Sequence, residues 1–197
     1  MNYGFSLNNQ EFEINEQILP LIIHGKEGVG VSLFSVLLIA KLINLDYKVI
    51  YYCEFEAGKN ELLNHIDNEK IQQINYKSDL NKLDTTKSIL IKPGNKDMLK
   101  FTLEKVGNNS NYILFVKNVD TLNFGSYKQL SLFGKTIFSG DFEKCSFSQT
   151  IVNKTKQNKI YFDLPNFEDK LQMPLLNKYE CYFQGENEKG ILKITFG

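Results

Sequence analysis

Short apolar runs alternate with polar or glycine-rich segments along most of the chain. Five of these runs are rich in β-branched and aromatic residues, which predicts buried strands at 18–23, 48–55, 88–92, 112–116 and 135–139. The segments between them carry apolar residues at helical spacing, which predicts helices at 33–45, 60–66, 96–106 and 124–133. Strands separated by helices of this length predict an α/β fold with a mostly parallel sheet covered on both faces.

The last forty residues follow a different pattern. A strand is predicted over 159–164, and two alternating segments, 179–184 and 191–196, flank a glycine-containing turn. This predicts a C-terminal antiparallel hairpin at the edge of the sheet. Residues 67–87 are polar and poorly patterned, and we expect a loop with a short helix there.

No internal repeat and no low-complexity linker divides the chain, so we expect a single domain over 1–197. Within it, residues 1–17 are an N-terminal extension and residues 159–197 a β-rich edge. The extension is polar and acidic, unlike a signal peptide, and no apolar stretch reaches the length of a membrane span. These features predict a cytoplasmic protein with no membrane partner.

Composition narrows the classes of partner. Lysine plus arginine and aspartate plus glutamate number 23 each, so the net charge is zero and does not indicate a nucleic-acid partner. Cys53, Cys145 and Cys181 are far apart and have no metal-ligand spacing, which predicts reduced thiols and no structural metal.

Residues 25–32 read Gly-Lys-Glu-Gly-Val-Gly-Val-Ser. The phosphate-binding pattern G-x-x-x-x-G-K-[ST] is met at Gly25, Gly30 and Ser32, but Val31 stands where the pattern has lysine. A predicted strand precedes this loop and a predicted helix follows it, an arrangement that points backbone N–H groups at an anion. The candidate nucleotide-binding loop therefore comprises residues 25–32, namely Gly25, Lys26, Glu27, Gly28, Val29, Gly30, Val31 and Ser32.

With this loop, the segment of residues 18–141 resembles the RecA/DnaB-like branch of the P-loop NTPases. The resemblance includes the opening LIIHGKEGVGVSL, the second strand ending in Glu54-Phe55-Glu56, and the strand YILFV over 112–116. It implies a three-layer RecA-like fold, with Glu56 as the carboxylate that activates water. It also implies that Ser32, with an aspartate after YILFV, serves a magnesium ion.

The chain departs from that family at several positions. Lys117 and Asn118 follow YILFV, so the expected aspartate is absent and only the later Asp120 remains as a second metal-binding candidate. On the next strand, Ser139 or Asp141 takes the place of a neutral amide near the terminal phosphate. A missing cation at about 4 Å from a phosphate is worth roughly 4 kcal/mol at an effective dielectric constant of about 20. ATP and magnesium binding are therefore expected to be weak, and no other cofactor is implied.

Two lysines offer replacements for the missing charge. Lys26 matches the early lysine of the related ParA/MinD-like loop, which reaches a nucleotide across a dimer interface; the alternative is a solvated loop lysine. Lys117 follows a strand at the edge where open α/β sheets bind ligands. Its alternative is an ion pair with Glu54, Glu56 or Asp120.

Three functional hypotheses follow. The leading one is a degenerate, pseudoenzyme-like NTPase subunit that binds nucleotide weakly or not at all and acts through protein partners or as a homo-oligomer. The second is an active ATPase with a non-standard loop, using Lys26 as cation and Glu56 as base. The third is an accessory factor in DNA recombination or replication, against which the balanced charge counts.

Overall fold

The described residues of the computed structural model form one eleven-stranded mixed sheet. The structure describes residues 3–107, 111–123, 125, 130, 133–145, 158–164, 166, 172–186 and 188–196. The predicted helix over 124–133 lies mostly outside these residues.

Seven neighbouring strands of the sheet are parallel to one another, in the order β9-β3-β8-β7-β4-β6-β5. Their bounds are β3 Leu21–His24, β4 Lys48–Tyr52, β5 Ile71–Ile74, β6 Ser88–Ile91, β7 Tyr112–Lys117, β8 Thr136–Gly140 and β9 Asn158–Tyr161. The predicted α/β fold with a mostly parallel sheet is confirmed. The polar segment 67–87 contains short 3₁₀ helices at Asn68–Lys70 and Lys77–Lys82, which fit the predicted loop with a short helix. It also contains β5, which the sequence pattern does not predict.

The antiparallel part extends the sheet beyond β9, in the order β10-β11-β1-β2. These strands are β1 Tyr3–Leu7, β2 Gln10–Glu11, β10 Glu180–Gln184 and β11 Lys189–Phe196. The hairpin of β10 and β11 is present as predicted, but it does not lie at the edge. The N-terminal segment pairs with β11 in the register Tyr3 to Phe196, so β1 and β2 cover the hairpin.

Among the fully described elements, three α-helices pack on the sheet: α1 Val31–Asn44, α2 Glu56–Leu63 and α3 Lys96–Val106. Buried apolar side chains divide into two clusters, one containing those of α1 and the other containing Met98 and Leu99 of α3. Successive residues of β3 alternate between the clusters, with Ile22 in the second and Leu21 and Ile23 in the first. This alternation follows from the two-residue period of a strand that is buried on both faces.

No helix among the described residues combines the length and the apolar character needed to cross a lipid bilayer.

Candidate functional site

The glycine loop lies at a strand–helix junction, as the sequence predicts. It leaves β3 after His24 and enters α1 at Val31, where the Phe34 N–H donates to the Gly30 carbonyl at 3.1 Å. Gly28 and Gly30 have φ angles of 87° and 107°, in the left-handed region that glycine adopts without strain. Among the described residues, no acceptor receives the backbone N–H groups of residues 28–33. The loop therefore presents the donors that an anion-binding helix N-terminus requires.

Apolar side chains fill the inner side of this loop. Val31 is buried, and a Cβ built on Gly25 would lie 2.5 Å from Val31 Cγ2 and 2.8 Å from Phe162 Cβ. The Phe162 ring also packs against Phe34 of α1, with 5.4 Å between ring centroids. The position that carries lysine in the motif is thus a packing position here, which explains how the loop keeps its shape without a cation.

Gly25→Ala is expected to destabilise the fold by about 1–3 kcal/mol, because an added methyl group overpacks the contact between Gly25 and Val31. Urea unfolding measures the change. Gly134→Ala is the matched control, because nothing lies within 4 Å of its built Cβ. Val31→Ala should recover part of the loss in a double-mutant cycle, and strictly additive free energies would contradict this packing model.

Lys117 reaches into the site from the end of β7. Its Nζ donates to Ser32 Oγ at 2.6 Å and lies 3.4 Å from Glu61 Oε2, and the Ser32 hydroxyl donates to the same Glu61 oxygen at 3.1 Å. The Lys117 side chain is only 8% exposed. The predicted partners Glu54, Glu56 and Asp120 are thus not the residues that pair with it; Glu61 of α2 is.

Lys26 lies on the other side of the loop and is already paired. Its Nζ is 3.2 Å from Glu143 Oε2 and 3.8 Å from Asp163 Oδ2, and its backbone N–H donates to Asp163 Oδ1. A hydrogen bond with Glu143 raises the pKa of Lys26, so the ammonium stays charged. The pKa of Glu143 is lowered, first by the Asn166 backbone N–H and also by Lys26. Lys26 is therefore a charge that the protein itself neutralises.

Glu56, the predicted base, and Asp120, the remaining candidate for metal binding, are not among the residues that hydrogen-bond with Ser32. Glu56 begins α2, is 61% exposed and pairs with Lys59 at 3.6 Å. Asp120 lies in a 3₁₀ turn and its Oδ1 accepts the Asp141 N–H at 3.4 Å. Asn118, at the degenerate position before it, has a φ of 64° and turns the chain after β7. The roles of Glu56 and Asp120 stay predictions. No cluster of three or more metal-ligating side chains occurs in the part of the chain that the structure describes.

His24 connects the loop strand to the two neighbouring strand ends. It is fully buried; its Nδ1 accepts the Phe142 N–H at 3.1 Å and its Nε2 lies 3.5 Å from Asp163 Oδ1. Burial lowers its pKa from the ordinary value of 6.5, outweighing the opposite effect of Asp163. Because Nδ1 is occupied as an acceptor, protonating it would also break the bond to Phe142.

His24→Gln is expected to flatten the pH dependence of stability below about pH 6.5. A lowered folded-state pKa means that the unfolded chain binds more protons, so wild-type stability is full above pH 6.5 and falls as the pH decreases. Asp163, Asp141, Glu143 and Lys26 face the imidazole and are unchanged in the variant. Urea unfolding at several pH values measures the slope, His65→Gln is the matched control, and an equal loss of slope in both variants would contradict the assignment.

Four residues of the site were not predicted from the sequence: Glu61, Glu143, Phe162 and Asp163. Glu61 stands 29 positions from Ser32, and Asp163 stands 137 positions from Lys26. Their types and spacing follow no motif, so no local signal identifies them. The parallel pairing of β3 with β8 and β9 brings the last three next to the loop.

No protein-family model and no curated protein matches this chain. A solved structure with a similar fold is the genome packaging NTPase B204 from Sulfolobus turreted icosahedral virus 2, in complex with ATP-gammaS. The TM-score is 0.52 at 13% sequence identity, and the alignment covers 89% of this chain and 95% of the viral chain. The likeness supports an NTPase-like fold.

Proposed function

We propose that this chain is a RecA-like P-loop protein that has lost magnesium-dependent hydrolysis and acts through protein contacts. The observation that carries the proposal is the 2.6 Å hydrogen bond from Lys117 Nζ to Ser32 Oγ. In P-loop NTPases, the loop serine and the aspartate of a neighbouring strand hold Mg²⁺. Here Lys117 takes the place of that aspartate, and its ammonium donates a hydrogen bond to the Ser32 hydroxyl.

An ammonium at this position disfavours a metal ion in two ways. Ser32 Oγ accepts from Lys117 and donates to Glu61, so its proton and one of its two lone pairs are engaged. Mg²⁺ demands oxygen ligands in near-octahedral geometry, and a cation within 3 Å of one ligand repels it. A nucleotide would consequently arrive without the ion that bridges its β- and γ-phosphates.

An active P-loop ATPase also needs a cation for the phosphates and a carboxylate base for the attacking water, and neither has a suitable residue among those that the structure describes here. Val31 supplies no charge to the loop, and the ammonium of Lys26 is held by Glu143 and Asp163. Glu56 faces solvent beside Lys59. The active-ATPase alternative requires Lys26 to leave two carboxylates, which makes it the less favoured proposal.

The surface that we propose for partners lies at the carboxyl end of the parallel strands, where the glycine loop also lies. Val29 in the loop, Phe55 after β4 and Leu164 after β9 are 41%, 57% and 53% exposed. All three follow the carboxyl ends of parallel strands, so they lie along one edge. We propose that these exposed apolar side chains are part of the surface that contacts partners.

Calorimetric titration with ATP, with and without Mg²⁺, tests the loss of hydrolysis. The similar viral structure holds an ATP analogue, so nucleotide is the appropriate first ligand. We expect no saturable Mg²⁺-dependent binding below about 1 mM and no turnover. Sub-micromolar binding with turnover that Glu56→Gln abolishes would refute the proposal.

Sedimentation velocity tests the contact surface separately. We expect wild-type protein to self-associate and Phe55→Ser to weaken that association. Leu45→Ser is the matched control, because Leu45 is 49% exposed at the opposite edge, after α1. A wild type that stays monomeric at all concentrations would rule out a homo-oligomer and leave the conclusion on hydrolysis intact.

A further inference from the structure

A cavity of about 420 Å³ opens at the edge of the sheet opposite the glycine loop. Lys48 and Tyr112, which line it, are the first residues of β4 and β7, whereas the loop follows the last residue of β3. Lys105 contributes from the last turn of α3, and Leu80 and Leu83 from the segment after β5. The cavity shares no residue with the site described above.

The charged side chains that line this cavity are both lysines, Lys48 and Lys105. In the described ranges, neither ammonium lies within ion-pair distance of a carboxylate. The charge of Lys48 acts on the carboxylate of Asp84 without direct contact. That carboxylate accepts hydrogen bonds from the hydroxyl and the N–H of Thr86 at 2.6 and 2.9 Å. The cavity therefore has positive charge that no described carboxylate neutralises at contact distance.

The rest of the lining combines apolar side chains that are fixed by packing with the polar side chains of Asn81, Thr85 and Asn111. Leu80 and Tyr112 are buried, and Leu83 packs against the same cluster of core residues. The volume lies in the range of about 300–1,000 Å³ that small-molecule sites occupy. Small-molecule sites combine apolar side chains with polar groups that orient the ligand, and this cavity offers both.

From this combination we propose that the cavity binds a small organic anion, with a carboxylate or phosphate near Lys48 and Lys105 and an apolar body against Leu80, Leu83 and Tyr112. The proposal does not depend on whether the glycine loop binds nucleotide.

Titration of the full ¹⁵N-labelled chain with phenyl phosphate and with phenylacetate tests the site by NMR. We expect saturable shifts at the amides of Asn81, Asn111 and Tyr112, which line the cavity. The tighter of the two probes identifies the acidic group. Lys48→Gln/Lys105→Gln should weaken binding at least about tenfold, and the corresponding double arginine variant should retain it.

Two further comparisons test the charge of the lining and the two parts of the ligand separately. Thr85→Glu places a carboxylate in the lining at an exposed position and should abolish binding, whereas Thr195→Glu, exposed on β11, should not. Benzyl alcohol and inorganic phosphate test the apolar body and the anion alone, and neither should match the combined probes. No saturable shift with either anion, equal shifts with benzyl alcohol, or binding unchanged in the double glutamine variant would overturn the proposal.

Discussion

Lys117→Asp is expected to lower the melting temperature by roughly 6–12 °C. The substitution replaces a buried ammonium by a carboxylate beside Glu61, and breaking a buried ion pair costs about 3–5 kcal/mol. We take the lower end because Glu61 is 34% exposed and water screens part of its charge. For a chain of this length, 1 kcal/mol corresponds to about 2–4 °C.

Magnesium should reverse much of that loss. In the Lys117→Asp variant, the introduced carboxylate would join Ser32 Oγ and the Glu61 carboxylate, and oxygen ligands of this kind suit Mg²⁺. Binding to the folded state alone raises stability by mass action, so about 10 mM Mg²⁺ should restore roughly half of the lost melting temperature. Thermal unfolding with Mg²⁺ or EDTA measures the effect.

Lys117→Met separates the metal effect from a packing effect. Methionine keeps most of the volume of lysine and removes the charge, so it should cost less than aspartate and show no response to Mg²⁺. If the aspartate and methionine variants lose equal stability and neither responds to Mg²⁺, Lys117 does not stand in place of a metal ion.

The second large effect is a gain of nucleotide binding in Val31→Lys/Lys117→Asp. The lysine stem can replace the contact of Val31 with Gly25 while its ammonium extends toward the loop opening. One cation near a phosphate is worth roughly 4 kcal/mol, and the acids Glu143 and Asp163 near the loop reduce that gain. We therefore expect Mg·ATP binding about 100-fold tighter than in the wild type.

Calorimetry with Mg·ATP measures this gain, and Val31→Leu/Lys117→Asp is the matched control. The control carries the same metal-binding change and an apolar side chain at the loop position, so it should bind far more weakly. A folded double variant that binds no better than this control would contradict the proposal that the site is a degenerate nucleotide-binding loop.

Both predictions rest on contacts between segments that are distant in the chain. The pattern of residues predicts α3 at Lys96–Val106 and places α1 within two residues of its bounds. It fails at β5, where two glutamines separate Ile71 and Ile74 and the run is too short and polar to be recognised. Pairing with β6 forms this strand, and that pairing is a tertiary effect.

The site divides in the same way. Glycine spacing and the flanking apolar runs predict the loop, because a tight turn between a strand and a helix depends on neighbouring residues. The partner of Lys117 is not predictable, because Ser32 and Glu61 stand 85 and 56 positions away and the charges of Glu54, Glu56 and Asp120 suit the pairing equally well.

The sequence by itself determined a glycine loop that joins a strand to a helix, with Val31 at the lysine position of the phosphate-binding pattern and Lys117 directly after the strand YILFV. Only the tertiary structure decided that Val31 fills the loop, that Lys26 is neutralised and that Lys117 lies on Ser32. The reason is physical: backbone conformation follows local residue types, whereas the partner of a buried charge depends on which strands pair and which side chains their order brings together.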